Sequence, residues 1–194
     1  MGNTNKKTPG RPRSSQSHQS ILKATLELLG EVGFEVMSIE AIASRAGVGK
    51  TTIYRRYKSK EELVADAIES MRQDVVIPDT GNFWKDIDEL IENAAQITLS
   101  PLGRQTVAMI ISSASSNPQF AQIYQSKYLQ PRRQAFAAVI ERGQERKEIS
   151  QDLDSGLVFD AMSGIMLYAL LFQSTKESWS QHVRRALYLL LNAP

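Results

Sequence analysis

From Ile21 to Leu191 apolar residues return every three or four positions, and no stretch alternates apolar with polar residues over the length of a strand. Residues three and four apart share one face of an α-helix, whereas residues two apart share a face of a strand. This periodicity predicts an all-α fold. Ser17 can cap a first helix whose apolar face is Ile21, Leu22, Thr25, Leu28, Leu29 and Val32, with Gly33 ending it. Ser38 can cap a short second helix carrying Ile39, Ile42, Ala43 and Ala46, closed by Gly47. A third is expected from about Lys50 to Tyr57. Ser59 and Glu62 have capping-box spacing, each side chain reaching the other's amide, and open a fourth helix running to about Asp74. Pro78, Asp79, Gly81 and Asn82 mark a linker. Five more helices are expected near 83–99, 102–116, 119–147 (with Pro131 as a break or kink), 154–173 and 177–192, about nine in total.

At 194 residues the chain has room for a small domain joined to a larger one. Cysteine is absent, so disulfides and thiolate metal sites are excluded. The N-terminal stretch is polar and basic, without the apolar core of a secretory signal. The longest apolar run, 156–172, includes Asp160 and is 17 residues long, short of the roughly 20 a bilayer span needs. It reads as a buried helix, and the chain as a cytoplasmic protein with no membrane partner. Net charge is +2, but residues 1–60 hold 11 Lys/Arg against 4 Glu, while residues 61–194 hold 12 against 17 acidic residues. A basic head on a mildly acidic body suits a nucleic-acid-binding module joined to a different domain. An ordinary solvated surface is the plainer account of the same charges.

The stretch AGVGKTT, residues 46–52, has the letters of a phosphate-binding loop. That loop needs a glycine five positions before Gly49, where Ser44 stands, and it must leave a buried strand. SIEAIASRA, residues 38–46, is instead a capped, alanine-rich helical segment. The nucleotide-hydrolase reading therefore fails. The same residues suit a helix-turn-helix: Ala43 and Ala46 allow close helix contact, Gly47 makes the turn, and Ile42, Val48 and Ile53 plug the angle. The third helix would then enter the DNA major groove. Lys50, Thr51, Thr52, Tyr54, Arg55, Arg56, Lys58 and Lys60 are donors for phosphate oxygens or base edges, and Ser38 at a helix start can hold a phosphate. A short basic surface helix would show the same composition.

The run MSIEAIASRAGVGKTTIYRRYKSKEELVADAI, residues 37–68, resembles the DNA-binding domain of the TetR family of transcriptional regulators. Ser38, Ile42, Ala43, Ala46, Gly47, Val48, Thr52, Ile53, Tyr54, Tyr57, Lys60 and Leu63 match the family pattern, and the resemblance extends over about residues 17–70. Gly49 replaces the usual Ser at the recognition-helix cap, at a cost of only a few tenths of a kcal/mol. Arg56 replaces a frequent His and keeps a donor. The resemblance implies that Lys50, Thr51, Tyr54 and Arg55 reach base edges or nearby backbone. It assigns phosphates to Ser38, Thr52, Arg56 and Lys60, and Lys58 is placed with them as a further phosphate donor. Tyr57 is expected to be mainly core, and Thr52 equally fits a neutral helix surface. Arg11 and Arg13, in a basic arm over 1–16, resemble a minor-groove hook. The DNA-binding domain is expected over 17–75.

Residues 80–194 would form the regulatory and dimerisation domain, and 131–149 faintly resemble one C-terminal subtype of the family. The helix at 154–173 is apolar nearly all round, so it needs cover on every side. A partner subunit is one cover, with Gly164, Leu167, Leu170, Leu171, Leu187, Leu190 and Leu191 as interface candidates; core packing within the protomer is the other. Trp84, Met109, Phe120, Tyr124, Tyr128, Phe136, Phe159, Met162 and Met166 are candidates for lining a ligand pocket, although such residues more often fill a core. Two histidines, His18 and His182, stand without catalytic or metal-ligand spacing, so no enzyme, metal or cofactor is expected. The resemblance implies a homodimeric repressor that binds a palindromic operator on double-stranded DNA and is released by a small-molecule effector. An architectural DNA binder or helical adaptor without ligand response is the alternative. An enclosed cavity within 80–194 would separate the two.

Overall fold

The computed structural model describes residues 13–71, 77–172 and 177–191. Among them are ten α-helices and no strand: α1 Arg13–Val36, α2 Ile39–Ala46, α3 Lys50–Tyr54, α4 Lys60–Glu69, α5 Phe83–Thr98, α6 Pro101–Ser116, α7 Pro118–Tyr124, α8 Gln130–Glu145, α9 Ser155–Phe172 and α10 Trp179–Leu191. A π-helical segment, Gln125–Leu129, joins α7 to α8. The fold is all-α, as the periodicity requires.

Contacts divide the chain into two units, one of residues 13–70 with 111–123, the other of 71–110 with 124–191. This differs from a simple split at the linker. The end of α6 and most of α7 join the N-terminal unit because Phe120, fully buried, meets Phe34 edge-on with ring centroids 5.8 Å apart. Asn117 also donates to Glu61, at 3.5 Å.

In the N-terminal unit α1 packs on α2 and α4, and α2 on α3. Ile21, Ile42, Ile53, Leu63, Val64 and Ile68 are all completely buried. Each such side chain contributes about 1.5–3 kcal/mol relative to exposure. The first helix starts at Arg13, inside the segment expected as a free arm, rather than at a Ser17 cap. Serine hydroxyls there are compatible with helix, since Ser20 Oγ donates back to the Gln16 carbonyl at 3.1 Å. Gly33 breaks α1 with φ 76° and ψ 172°, a conformation open only to glycine.

In the C-terminal unit α5 packs on α8 and α10, and α9 packs on α8 and α10. Phe83, Ile87, Ile91, Phe136, Val139, Ile140, Val183 and Leu187 form the centre of its core. The buried Asp86 carboxylate accepts from the amide and hydroxyl of Thr80, both at 2.7 Å, and faces Arg146 at 3.6 Å. These contacts fasten the chain before α5 to the end of α8. Pro131 does not break the α7–α8 run. It has no N–H, and its ring crowds the carbonyl four residues back. That carbonyl, of Lys127, lies in the π segment, where Gln130 N–H donates instead to the carbonyl of Gln125, five residues back.

Candidate nucleic-acid interface and ligand cavity

The helix-turn-helix is built from three local devices. Ser38 caps α2 by accepting from Ala41 N–H at 3.1 Å. Gly47 ends α2 in the left-handed region at φ 66°, donating to Ser44 O while Val48 donates to Ala43 O at 3.0 Å, the paired bonds of a Schellman turn. Gly49 then starts α3, with Thr52 N–H bonding its carbonyl at 2.9 Å.

α3 is shorter than the periodicity suggests, ending at Tyr54 in place of Tyr57. Ile53 O accepts from both Arg56 and Tyr57 amides, at 2.9 and 3.0 Å, which tightens the last turn. Ile53 and Tyr57 are buried, and Lys50, Thr51, Tyr54 and Arg55 stand exposed. Tyr54 keeps 56% of its surface in solvent. Thr52 and Arg56 are half-buried, and Lys58 is exposed.

Several of these donors already have protein partners. Lys50 Nζ lies 2.8 Å from Glu40 Oε1 on α2. That hydrogen bond lowers the Glu40 carboxyl below its usual range and raises the Lys50 ammonium above its own. Lys60 Nζ donates to the carbonyls of Phe34 and Met37, at 2.8 and 3.1 Å, and sits 4.5 Å from the Phe34 ring centroid. It therefore closes the end of α1 as a structural group, a role its position in the sequence did not reveal. Arg45 pairs with Glu31 at 2.6 Å, tying α2 to α1.

Behind α3 runs a polar chain. His18 Nε2 is 2.7 Å from the Tyr57 hydroxyl, which donates to Asp66 at 3.1 Å. Burial, reinforced by the Asp66 charge, pushes the Tyr57 phenol well above its ordinary pKa, so it stays a neutral donor. The capping box of α4 has a variation: Ser59 Oγ accepts from Glu62 N–H at 3.2 Å, and Glu62 reaches back to Lys58 N–H at 2.9 Å. Arg11 lies outside the described residues, and Arg13 is the first residue of α1 and not part of an extended hook.

The C-terminal unit contains a cavity of about 450 Å³, within the range of small-molecule sites. Leu90, Ala94 and Ile97 of α5, Ala135 and Phe136 of α8, and Phe159, Met162, Met166 and Leu170 of α9 supply most of its apolar wall, and Arg132 its only charge among the described lining residues. Four of the nine pocket candidates line it: Phe136, Phe159, Met162 and Met166. The other five do not. Trp84 packs between the rings of Phe83 and Tyr188, at 5.2 and 5.1 Å. Tyr124 and Tyr128 meet at a tilt with ring centroids 5.3 Å apart, Phe120 belongs to the N-terminal unit, and Met109 is half-buried and not among the lining residues. The missed wall residues, Leu90, Ala135 and Leu170, carry no aromatic or sulfur signal; Arg132 was hidden in a basic run.

The interface candidates also divide. Leu187 and Leu191 are buried within the protomer, on one face of α10 with Trp179 and Val183. Leu167 and Leu170 line the cavity. Gly164, Leu171 and Leu190 are exposed, and Tyr168, Phe172 and Leu189 join them, with 61%, 68% and 67% of their surface in solvent. Among the described residues α9 is the one helix long and apolar enough to cross a membrane. Its Asp160, however, pairs with Arg133 of α8 at 3.0 Å, and Val158, Met162 and Ala169 enter the core.

A capped helix-turn-helix with a basic exposed face, on an all-α chain with a separate helical unit, defines a DNA-binding transcriptional regulator. Residues 21–67 match the family described as bacterial regulatory proteins, tetR family, and residues 77–188 match the tetracyclin repressor-like C-terminal domain. The chain belongs to the TetR family. It is 32% identical over 163 residues to the uncharacterized HTH-type transcriptional regulator YdeS of Bacillus subtilis (strain 168), covering 84% of this chain and 82% of that protein. It is 28% identical over 155 residues to the HTH-type transcriptional regulator AqdR of Rhodococcus erythropolis, covering 79% and 74%. Among solved structures, the flavonoid-responsive regulator FrrA superposes with a TM-score of 0.70 at 20% identity, covering 93% of this chain and all of that one. Salmonella enterica GusR gives 0.68 at 22% identity, covering 96% and 99%. YdeS, AqdR and FrrA are regulators, not enzymes.

Proposed function

We propose that this regulator is a cytoplasmic repressor that binds a palindromic operator as a homodimer and is released by a small molecule held in the C-terminal cavity. The cavity is the observation that carries the reading: a mostly apolar pocket of about 450 Å³, partly open to solvent, suits a small molecule, and an architectural DNA binder has no use for one. An effector that prefers the DNA-incompetent state shifts the population by its differential affinity for the two states. Lys50, Thr51, Tyr54 and Arg55 read bases or adjacent backbone. Ser38, Thr52, Arg56, Lys58 and Lys60 hold phosphates, with Lys60 first having to leave its two carbonyls. Arg11 and Arg13 extend the contact from the N-terminal side. The exposed apolar surface of α9 and α10, with Leu171, Phe172, Leu189 and Leu190, suits burial against a second copy.

Selection of bound sequences from a random DNA library tests the first half, and a metabolite screen for release of the selected site tests the second. A palindromic consensus released by a small molecule is the expected result. Binding with no sequence preference above random DNA sinks the repressor reading, and a selected site that no metabolite releases favours the architectural alternative. Sedimentation of the free protein as a monomer at micromolar concentration would count against the homodimer.

A further inference from the structure

Between Val36 and Lys60 the sequence holds six Lys and Arg but a single acidic residue, Glu40. Glu40 stands exposed in the first turn of α2, and its Oε1 accepts from Lys50 Nζ, at the start of α3, across 2.8 Å. While the pair holds, a carboxylate goes wherever Lys50 reaches. Beside phosphates that is unfavourable, because like charges repel. Beside a base edge that offers an amino group it is favourable, because a carboxylate accepts from cytosine N4.

The pair suits one base edge in particular. Lys50 has three N–H donors, one of which goes to Glu40, and an ionised carboxylate has about four lone-pair sites, of which Lys50 uses one. The bond to Lys50 also holds the Glu40 carboxyl below its usual range, so it stays an acceptor at neutral pH. A donor and an acceptor thus stand side by side at hydrogen-bond spacing. In the major groove a G·C pair shows the guanine N7 and O6 acceptors next to the cytosine N4 donor. O6 and N4 are themselves hydrogen-bonded, at about 2.9 Å, a spacing that matches the pair. An A·T pair matches less well. It gives the lysine one acceptor, thymine O4, beside a methyl group, and sets the carboxylate next to the lone pair of adenine N7.

We propose that Glu40 is a base-reading residue, accepting from cytosine N4 of one G·C pair per half-site while Lys50 donates to the guanine of the same pair. This rests on the reading that α3 lies in the major groove with Lys50 at the bases. A first-turn acid also favours the positive end of α2, but that contribution is the same on every DNA sequence.

The test has two stages, both on the full-length protein. Selection from a random DNA library gives the wild-type operator, in which a G·C pair is expected at the same position of each half-site. Anisotropy titration then compares that operator with one carrying N4-methylcytosine there, which still pairs with guanine but has lost its groove-facing donor. The wild type should lose about tenfold in affinity on the methylated site. Glu40→Ala should bind the two sites within about twofold of each other, and Glu40→Gln, which keeps an acceptor oxygen without the charge, should retain part of the difference. The wild-type comparison needs no variant, so a misfolded substitution does not blunt it. A wild type indifferent to N4-methylcytosine at every G·C position overturns the inference. So does a methylation penalty that survives Glu40→Ala, or a Glu40→Ala loss that is equal on operator and random DNA. A wild type that selects no sequence at all overturns the groove reading and this inference with it, whereas a clear operator unaffected by Glu40→Ala overturns this inference alone.

Discussion

The N-terminal unit rests its exposed donors on a completely buried core, whereas the C-terminal unit has a cavity of about 450 Å³ beside its own. In the first, Ile21, Ile42, Ile53 and Leu63 are completely buried, and the exposed groups Lys50, Thr51, Tyr54 and Arg55 stand on that support. In the second, Phe136 and Met162 belong to the core and also line the cavity of about 450 Å³. The difference follows from what each must recognise. Reading a groove requires donors fixed in place, so the scaffold must be rigid and packed. Enclosing a small molecule requires that packing be left incomplete until the molecule arrives.

Large-to-small substitution should break this comparison most visibly. Ile53→Ala removes a completely buried side chain beneath α3, and a loss of about 2–5 kcal/mol is expected. Met162→Ala enlarges a space that already exists and forfeits fewer contacts, so its cost should fall near the low end of that range. Chemical denaturation of the two variants measures both. Equal losses would mean that the C-terminal core is as tightly packed as the other.

Small-to-large substitution sharpens the same contrast with the opposite sign. Ala43, 4% exposed on the inner face of α2, has no room for Leu, and overpacking should cost about 1–3 kcal/mol. Ala135→Leu projects into the cavity and should be neutral or stabilising by up to about 1 kcal/mol. A drop in thermal midpoint of several degrees for Ala135→Leu would show that the space is not available to a side chain.

The exposed face of the first unit can be dissected by its DNA contacts. Arg55→Ala should cost about 1–3 kcal/mol on the selected operator and little on random DNA, as expected when a base contact is lost. Lys58→Ala should weaken both alike and reduce the salt slope by about one. Lys58 is the better phosphate probe than Lys60, because Lys60→Ala also strips two carbonyls of Phe34 and Met37 of their donor and confounds binding with stability. Equal losses on operator and random DNA for Arg55→Ala would remove it from the base-reading set.

How much of this was legible in the sequence depends on the reach of each feature. The helix-turn-helix is written in neighbouring residues: Ser38 caps the amide three positions on, Gly47 takes the left-handed turn, and Ser59 caps α4. Those bonds close within five residues, so the order of letters suffices to place them. Phe120 joins the N-terminal core across 86 residues from Phe34, which no local pattern reports. The leucines of α10 show the same limit in another form. A run of apolar residues announces burial, but only helical phase against α5 and α9 decides that Leu187 and Leu191 face inward and Leu189 and Leu190 outward. A cavity is harder still, being set by the volumes that four helices fail to fill. Small aliphatic walls such as Leu90 and Ala135 therefore escaped a search for aromatic and sulfur side chains.

The smallest effect concerns a helix end in the C-terminal unit that mirrors one in the N-terminal unit. α8 closes as α2 does: Glu148 N–H donates to Gly143 O at 2.9 Å and Lys147 N–H to Gln144 O at 2.8 Å, the bonds that Val48 and Gly47 make at the end of α2. In α2 the left-handed position is Gly47; in α8 it is Lys147, at φ 59°. A side chain there brings Cβ against the following carbonyl at a cost of about 1–2 kcal/mol, partly offset because glycine loses more freedom on folding. Lys147→Gly should therefore stabilise the chain by about 0.5–1 kcal/mol, a rise of a few degrees in thermal midpoint, with operator affinity unchanged. Gly47→Lys should show the reverse, with loss of DNA binding, because that turn sets α3 against α2. If Lys147→Gly were destabilising, the Lys147 side chain would be contributing a contact that outweighs its backbone strain, and the parallel between the two helix ends would not hold.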